Sequence, residues 1–165
     1  MTHKQSKHSF WDYLYLSLFV IVSLTILFFA AQSGDNSSEQ SGTLVNITAK
    51  ILTLFRITLS EGQLAFLHNF IRKAIGHFLL FMVDGIFAWL SARAWLKLRL
   101  NMRFIVTMSA GIFIAALSEI LQLFAPERGP ALGDVFLDIF GFFIGILLIY
   151  LLLKIINHKN KKASL

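Results

Sequence analysis

The sequence predicts an all-α, polytopic membrane protein: a bundle of four transmembrane helices with an additional amphipathic helix lying in the interface after the first span. Three observations predict it. The 165-residue chain is 56% apolar with a mean hydropathy of +0.70, above the ~45–50% apolar share of soluble domains. Four apolar runs, residues 13–31, 74–95, 104–124 and 135–153, are each long enough to cross ~30 Å of hydrocarbon. Asp84, Glu119 and Asp138 lie inside those runs. A carboxylate there costs ~2.5–3.5 kcal/mol and persists by facing a protein interior, a wet cavity or a task.

The whole chain, 1–165, reads as a single membrane domain without internal repeats or a long linker. The first run is nearer 18 residues than a signal-peptide core, and Phe29-Ala30-Ala31-Gln32 is a poor cleavage site, so it is expected to stay as a helix. Residues 33–42 (SGDNSSEQSG) read as a polar, turn-rich loop. Residues 43–59 are amphipathic: Leu44, Ile47, Ile51, Leu54 and Phe55 recur at helical spacing, opposite Asn46, Lys50 and Thr53. That pattern suits a helix in the interface, or one packed on top of the bundle. Ser60 and Gln63 have capping-box spacing, so a further helix starts there and runs into the second span. Residues 125–133 hold both prolines and form a rigid hairpin with Arg128 at its tip.

Basic residues decide orientation. With the N-terminus inside, the cytoplasmic segments carry Lys4, Lys7, Arg93, Lys97, Arg99, Arg103, Lys154, Lys159, Lys161 and Lys162. The other side carries the smaller set Lys50, Arg56, Arg72, Lys73 and Arg128. A bacterial cytoplasmic-membrane protein with both termini cytoplasmic is expected. The net charge of +6 is explained by this placement, and no nucleic-acid partner is expected. The chain has no cysteine, which excludes disulfides, thiolate nucleophiles, Cys-ligated zinc and iron–sulfur clusters.

In that orientation three helices deliver polar groups to the outer leaflet: His77 about a turn below the surface, Glu119 roughly 8 Å below its helix end, and Asp138 about 6 Å below Asp134. Arg72, Lys73, Gln122 and Arg128 border the same level. Arg72, Lys73, His77, Glu119, Gln122, Arg128, Asp134 and Asp138 are therefore the candidate ligand-binding residues. Glu119, His77 and Asp138 are the candidate catalytic ones. Each has a structural alternative. Asp134 suits an N-cap of the fourth helix, and Asp138 suits an ion pair with Arg72, Lys73 or Arg128. Glu119 suits a buried ion pair and His77 a hydrogen bond to a carbonyl. Asp84, at mid-depth and away from the cluster, reads as a structural hydrogen-bonding residue. Gly141 and Gly145 read as packing glycines on the Asp134–Asp138 face.

Three blocks resemble the VanZ-like family of small bacterial membrane proteins. The first is Phe28-Phe29-Ala30-Ala31-Gln32-Ser33-Gly34 with Ser38 and Ser41, where Ala30 and Ala31 stand in place of the family's serines. The second is Arg72-Lys73 with His77-Phe78. The third is Ser118-Glu119-Ile120-Leu121-Gln122, then Pro126, Arg128-Gly129, Asp134-Val135, Asp138, Gly141 and Gly145. Ser118 stands where the family often has Asp. The resemblance covers nearly the whole chain. It implies a small helical membrane bundle in the bacterial cell envelope and a link to antibiotic resistance, specifically teicoplanin tolerance.

These readings converge on a protein that binds or handles an envelope lipid, a lipid-linked cell-wall precursor or a glycopeptide through a polar outer-leaflet site, with membrane lipids as its surroundings. A membrane-embedded hydrolase or transferase acting on a phosphorylated lipid is the alternative, because one His and three carboxylates can hold a divalent metal or serve as acid and base. A structural subunit or proton-coupled transporter built around Asp84 is a further one. The sequence names no cofactor, metal or oligomeric state.

Overall fold

The computed structural model describes residues 8–129 and 131–163; Lys4, Lys7 and Pro130 fall outside the described residues. The elements are α1 (Phe10–Ala30), α2 (Gly34–Leu54), α3 (Glu61–Ile71), a π-helical segment (Arg72–Leu79), α4 (Leu80–Trp95), α5 (Leu100–Gln122) and α6 (Leu132–Ala163). There is no strand among the described residues. Four helices are long and apolar enough to cross a membrane: Phe10–Ala30, Glu61–Trp95, Leu100–Gln122 and Leu132–Lys162. The all-α bundle with an added helix after the first span is thus the architecture observed.

Two stretches between the first two spans depart from expectation. Residues 34–42 are helical, forming the first half of α2 rather than a loop. Local turn chemistry is overridden by docking at both ends of the stretch. The Gly34 N–H donates to the Pro126 carbonyl at 2.9 Å, and a Cβ at position 34 would run into the Glu127 carbonyl, so glycine permits the approach. Asp35 lies in the first turn, where a helix favours negative charge. About two turns later Ser41 is buried, with its Oγ 3.0 Å from His68 Nε2 of α3. At the other end α2 stops at Leu54 rather than 59. Arg56 adopts φ 60°, and the Ile57 N–H reaches back to the Leu52 carbonyl, a left-handed helix stop without the usual glycine. Leu44, Ile47, Ile51, Leu54 and Phe55 stay exposed, so this apolar stripe is not a face packed on top of the bundle.

The capping box at the start of α3 forms as its spacing predicts. Ser60 N–H donates to Gln63 Oε1 at 2.9 Å, and Gln63 N–H donates to Ser60 Oγ at 3.4 Å. α3 then continues without a break through the π-helical segment into α4, 35 residues in all.

α4 is the central helix, in contact with α1, α5 and α6. Its crossing with α6 is governed by glycines. A Cβ at Gly85 would strike the Phe142 carbonyl. One at Gly141 would strike the Phe78 carbonyl, and one at Gly145 the Met82 carbonyl. The two backbones therefore run at a separation that no larger residue allows. Phe142, fully buried, packs over Gly111 of α5. With Phe81, Trp89, Ala115 and Ile146 it forms the apolar core. Asp84 is buried in this region too, and accepts a hydrogen bond from Ser23 of α1 at 3.0 Å, the structural role expected of it. At the opposite end from His77, Trp95 Nε1 donates to the Asp12 carbonyl at 3.0 Å, and its ring stacks on His8, pinning the start of α1 to the end of α4.

Gly145→Leu drives side-chain atoms into the α4 backbone and is expected to cost about 1–3 kcal/mol or more. Gly62→Ala, where nothing lies within 4 Å, is expected to be neutral or stabilising. Thermal unfolding of the two variants in detergent checks the contrast.

Candidate functional site

The glycine-mediated crossing sets the π-helical segment against the first turns of α6. A π-helix closes i→i+5 rather than i→i+4 hydrogen bonds, and the wider turn places Arg72 and His77 on one cavity wall while Lys73 and His77 both reach α6. Lys73 Nζ donates to Asp134 Oδ1 at 2.7 Å. His77 Nδ1 lies 3.0 Å from Asp138 Oδ1, and its Nε2 lies 3.7 Å from Asp134 Oδ2. With Asp138 ionised, Nδ1–H is the donor and Nε2 is left as an acceptor.

The third contribution comes from α5. Gln122 Nε2 donates to Glu119 Oε1 at 3.0 Å, and the backbone N–H of Ala131 donates to Glu119 Oε2 at 2.9 Å. Glu119 thereby ties the end of α5 to the start of α6, where the backbone amides are unpaired and the helix dipole favours a carboxylate. His77, Glu119, Gln122, Asp134 and Asp138 are all buried, Asp138 completely. One donor atom each from His77, Glu119 and Asp138 lie within 4.8 Å of one another. Asp138 Oδ2, also buried, has no hydrogen-bond partner among the described residues.

The structure redistributes several roles. Asp134 lies inside the first turn of α6 and takes the Lys73 salt bridge instead of capping the helix. Asp138 pairs with His77, not with Arg72, Lys73 or Arg128. Arg128 does not project from a hairpin tip. It folds back, and its Nη1 donates to the Phe29 carbonyl at 2.6 Å, with the Ala30 and Gln32 carbonyls at 3.4 and 3.5 Å. The first two are end carbonyls of α1, a helix with no basic residue of its own in the last turn, and the third follows it. That missing cation was the signal available in the sequence. Burial, and then the nearby charge of Arg72, hold the Arg128 guanidinium below its ordinary affinity for a proton.

Beside the cluster lies a cavity of about 250 Å³. Arg72, His77, Ser118, Gln122 and Arg128 provide polar lining, and Ile26, Phe29, Leu44, Ile71 and Phe81 provide apolar lining. Gln32 and Ser41, which carried no role in the sequence reading beyond the family resemblance, line it as well. Arg72 is half-buried and forms no hydrogen bond or ion pair with the described residues. Asp84 belongs to a separate pair with Ser23.

A family model described as VanZ/LLP1 matches residues 13–154, and the chain belongs to that family. No curated protein and no solved structure matches it. Membership and the four apolar helices together make it a multi-pass membrane protein.

Two outcomes follow from these contacts. His77→Ala strands the fully buried Asp138 and is expected to cost about 3–5 kcal/mol, whereas Lys73→Met, which removes a half-exposed ammonium from Asp134, is expected to cost less, about 1–2 kcal/mol; chemical unfolding in detergent distinguishes them. The second concerns Glu127, exposed and raised above its ordinary 4.5 by a hydrogen bond shared with Asp35 and by repulsion between the two carboxylates. A raised carboxyl group contributes stability below its unfolded value and loses it as pH rises through the folded one. Melting temperature against pH is therefore expected to show a small acid-side gain in the wild type that Glu127→Gln abolishes.

Proposed function

We propose that this protein is a component of the bacterial cell envelope that binds an anionic envelope lipid or lipid-linked cell-wall precursor at the cavity, and through it influences tolerance to glycopeptides of the teicoplanin type. One observation carries the reading: two guanidinium groups, Arg72 and Arg128, line a cavity whose other wall is apolar. Guanidinium forks suit phosphate and carboxylate oxygens, and the apolar wall suits an acyl or prenyl chain. An anion between the two arginines relieves the mutual repulsion that already acts on Arg128. In this reading the cavity end faces outward and both termini lie in the cytoplasm, the orientation that the distribution of basic residues supports. The family name supports the glycopeptide setting.

A second reading rests on the His77–Asp138 pair with Glu119 nearby: a hydrolase or transferase acting on a phosphorylated lipid, with His77 as base. Release of phosphate or headgroup from a lipid-phosphate substrate by purified protein, lost in His77→Gln, is its signature.

The binding reading is tested by teicoplanin susceptibility of a sensitive bacterial host producing the wild type or Arg72→Ala at equal membrane levels. Arg72 supports no other side chain, so the fold is expected to survive. Protection by the wild type that the variant loses is the expected result. Protection by neither protein, or equal protection by both, overturns it.

A further inference from the structure

We propose that His77, Glu119 and Asp138 form a binding site for a divalent transition-metal cation of the Mn²⁺ or Zn²⁺ type. The inference goes beyond the lipid-binding reading and does not depend on it. Three separate elements bring one imidazole and two carboxylates together, with a donor atom from each within 4.8 Å of the others. Donors bound at ~2.0–2.2 Å around a tetrahedral ion sit ~3.3–3.6 Å apart, so the set closes when the side chains draw in from within 4.8 Å by up to about 1.5 Å.

Burial makes the case stronger than proximity does. Two carboxylates removed from solvent need cationic partners, and Glu119, held by Gln122 and the Ala131 amide, has no ion pair with the described residues. Asp138 is fully buried, yet its Oδ2 has no hydrogen-bond partner among the described residues. A metal ion is the partner that such an oxygen, beside an imidazole and a second carboxylate, is suited to accept. Glu119 is held from behind in the manner of a metal ligand. Gln122 fixes one oxygen and the Ala131 amide the other, and each oxygen retains a second lone pair. Asp134 is left out of the set because Lys73 neutralises it. A mixed nitrogen and oxygen donor set favours Mn²⁺ or Zn²⁺ over Ca²⁺ and Mg²⁺, which prefer oxygen alone. His77 and Gln122 also line the cavity, so the ion sits at the cavity wall with coordination positions to spare.

The test uses the full chain in detergent, stripped with a chelator and titrated with Zn²⁺ or Mn²⁺ alone by calorimetry, with bound metal counted by elemental mass spectrometry after desalting. One ion per chain is expected for the wild type. Asp138→Asn and Glu119→Gln are expected to weaken binding by about tenfold or more, while Glu127→Gln, at an exposed carboxylate, leaves it unchanged. A folded wild type that retains no metal, or affinity unaltered in both site variants, overturns the proposal. If those variants fail to fold, the wild type loaded with Co²⁺ decides the matter. Paramagnetically shifted imidazole resonances support the site, and their absence overturns it. Susceptibility of the producing host plays no part in these readouts, so failure here and failure of the binding reading are told apart.

Discussion

The close crossing of α4 and α6 is the constraint on which the rest of the structure depends. Gly85, Gly141 and Gly145 each face a backbone carbonyl of the other helix chain at a distance that excludes a Cβ. In a membrane, where lipid is as apolar as leucine, helices gain little by burying leucine against leucine. They associate through close packing and polar contacts. Here the close packing holds the π-helical segment over the first turns of α6. The polar contacts, Lys73 to Asp134 and His77 to Asp138, then span the same gap. Their geometry is a consequence of the glycines.

The polar end of the bundle is held together from three directions. Glu119 bonds the start of α6, His77 bonds the middle of its first turns, and Arg128 bonds the end of α1. Each contact places a charge against the opposite end of a helix dipole or against an ionised side chain. Carboxylates and a histidine that would be costly singly in hydrocarbon become tolerable as a network, because each is partnered where it is buried. The exceptions are informative. Arg72, without a partner among the described residues, borders the cavity, and Asp138 Oδ2 is buried without a hydrogen-bond partner among them. Unsatisfied groups of this kind in an otherwise paired network are where a ligand has something to gain.

Asp84 shows the contrast. It is buried like Asp138 but belongs to a self-contained pair with Ser23, on the helix that also carries the core residues Phe81 and Trp89. The membrane thus contains carboxylates of two kinds, one that joins two helices and one set gathered beside a cavity. Belonging to the VanZ/LLP1 family accords with the second set, since Glu119, His77, Arg128, Asp134 and Asp138 are the residues that carry the resemblance.

Much of this was legible in the chain itself. Hydropathy and run length determined the four membrane helices, because lipid leaves the backbone no alternative to internal hydrogen bonding. The spacing of Leu44, Ile47, Ile51, Leu54 and Phe55 determined an amphipathic helix, and Ser60 with Gln63 determined where the next one starts. The level of His77, Glu119 and Asp138 followed from helical rise. What tertiary structure decided was pairing. Asp138 meets His77 rather than an arginine, Asp134 serves Lys73 rather than its own helix, Arg128 turns back onto α1, and residues 34–42 become helix through contacts with Pro126 and His68. The reason is physical. Depth and helicity are set by each residue's relation to solvent and to its near neighbours in sequence. The partner of a side chain depends on helix rotation, on a local π-helical turn and on the spacing that three glycines permit, and these arise from packing between segments some sixty residues apart.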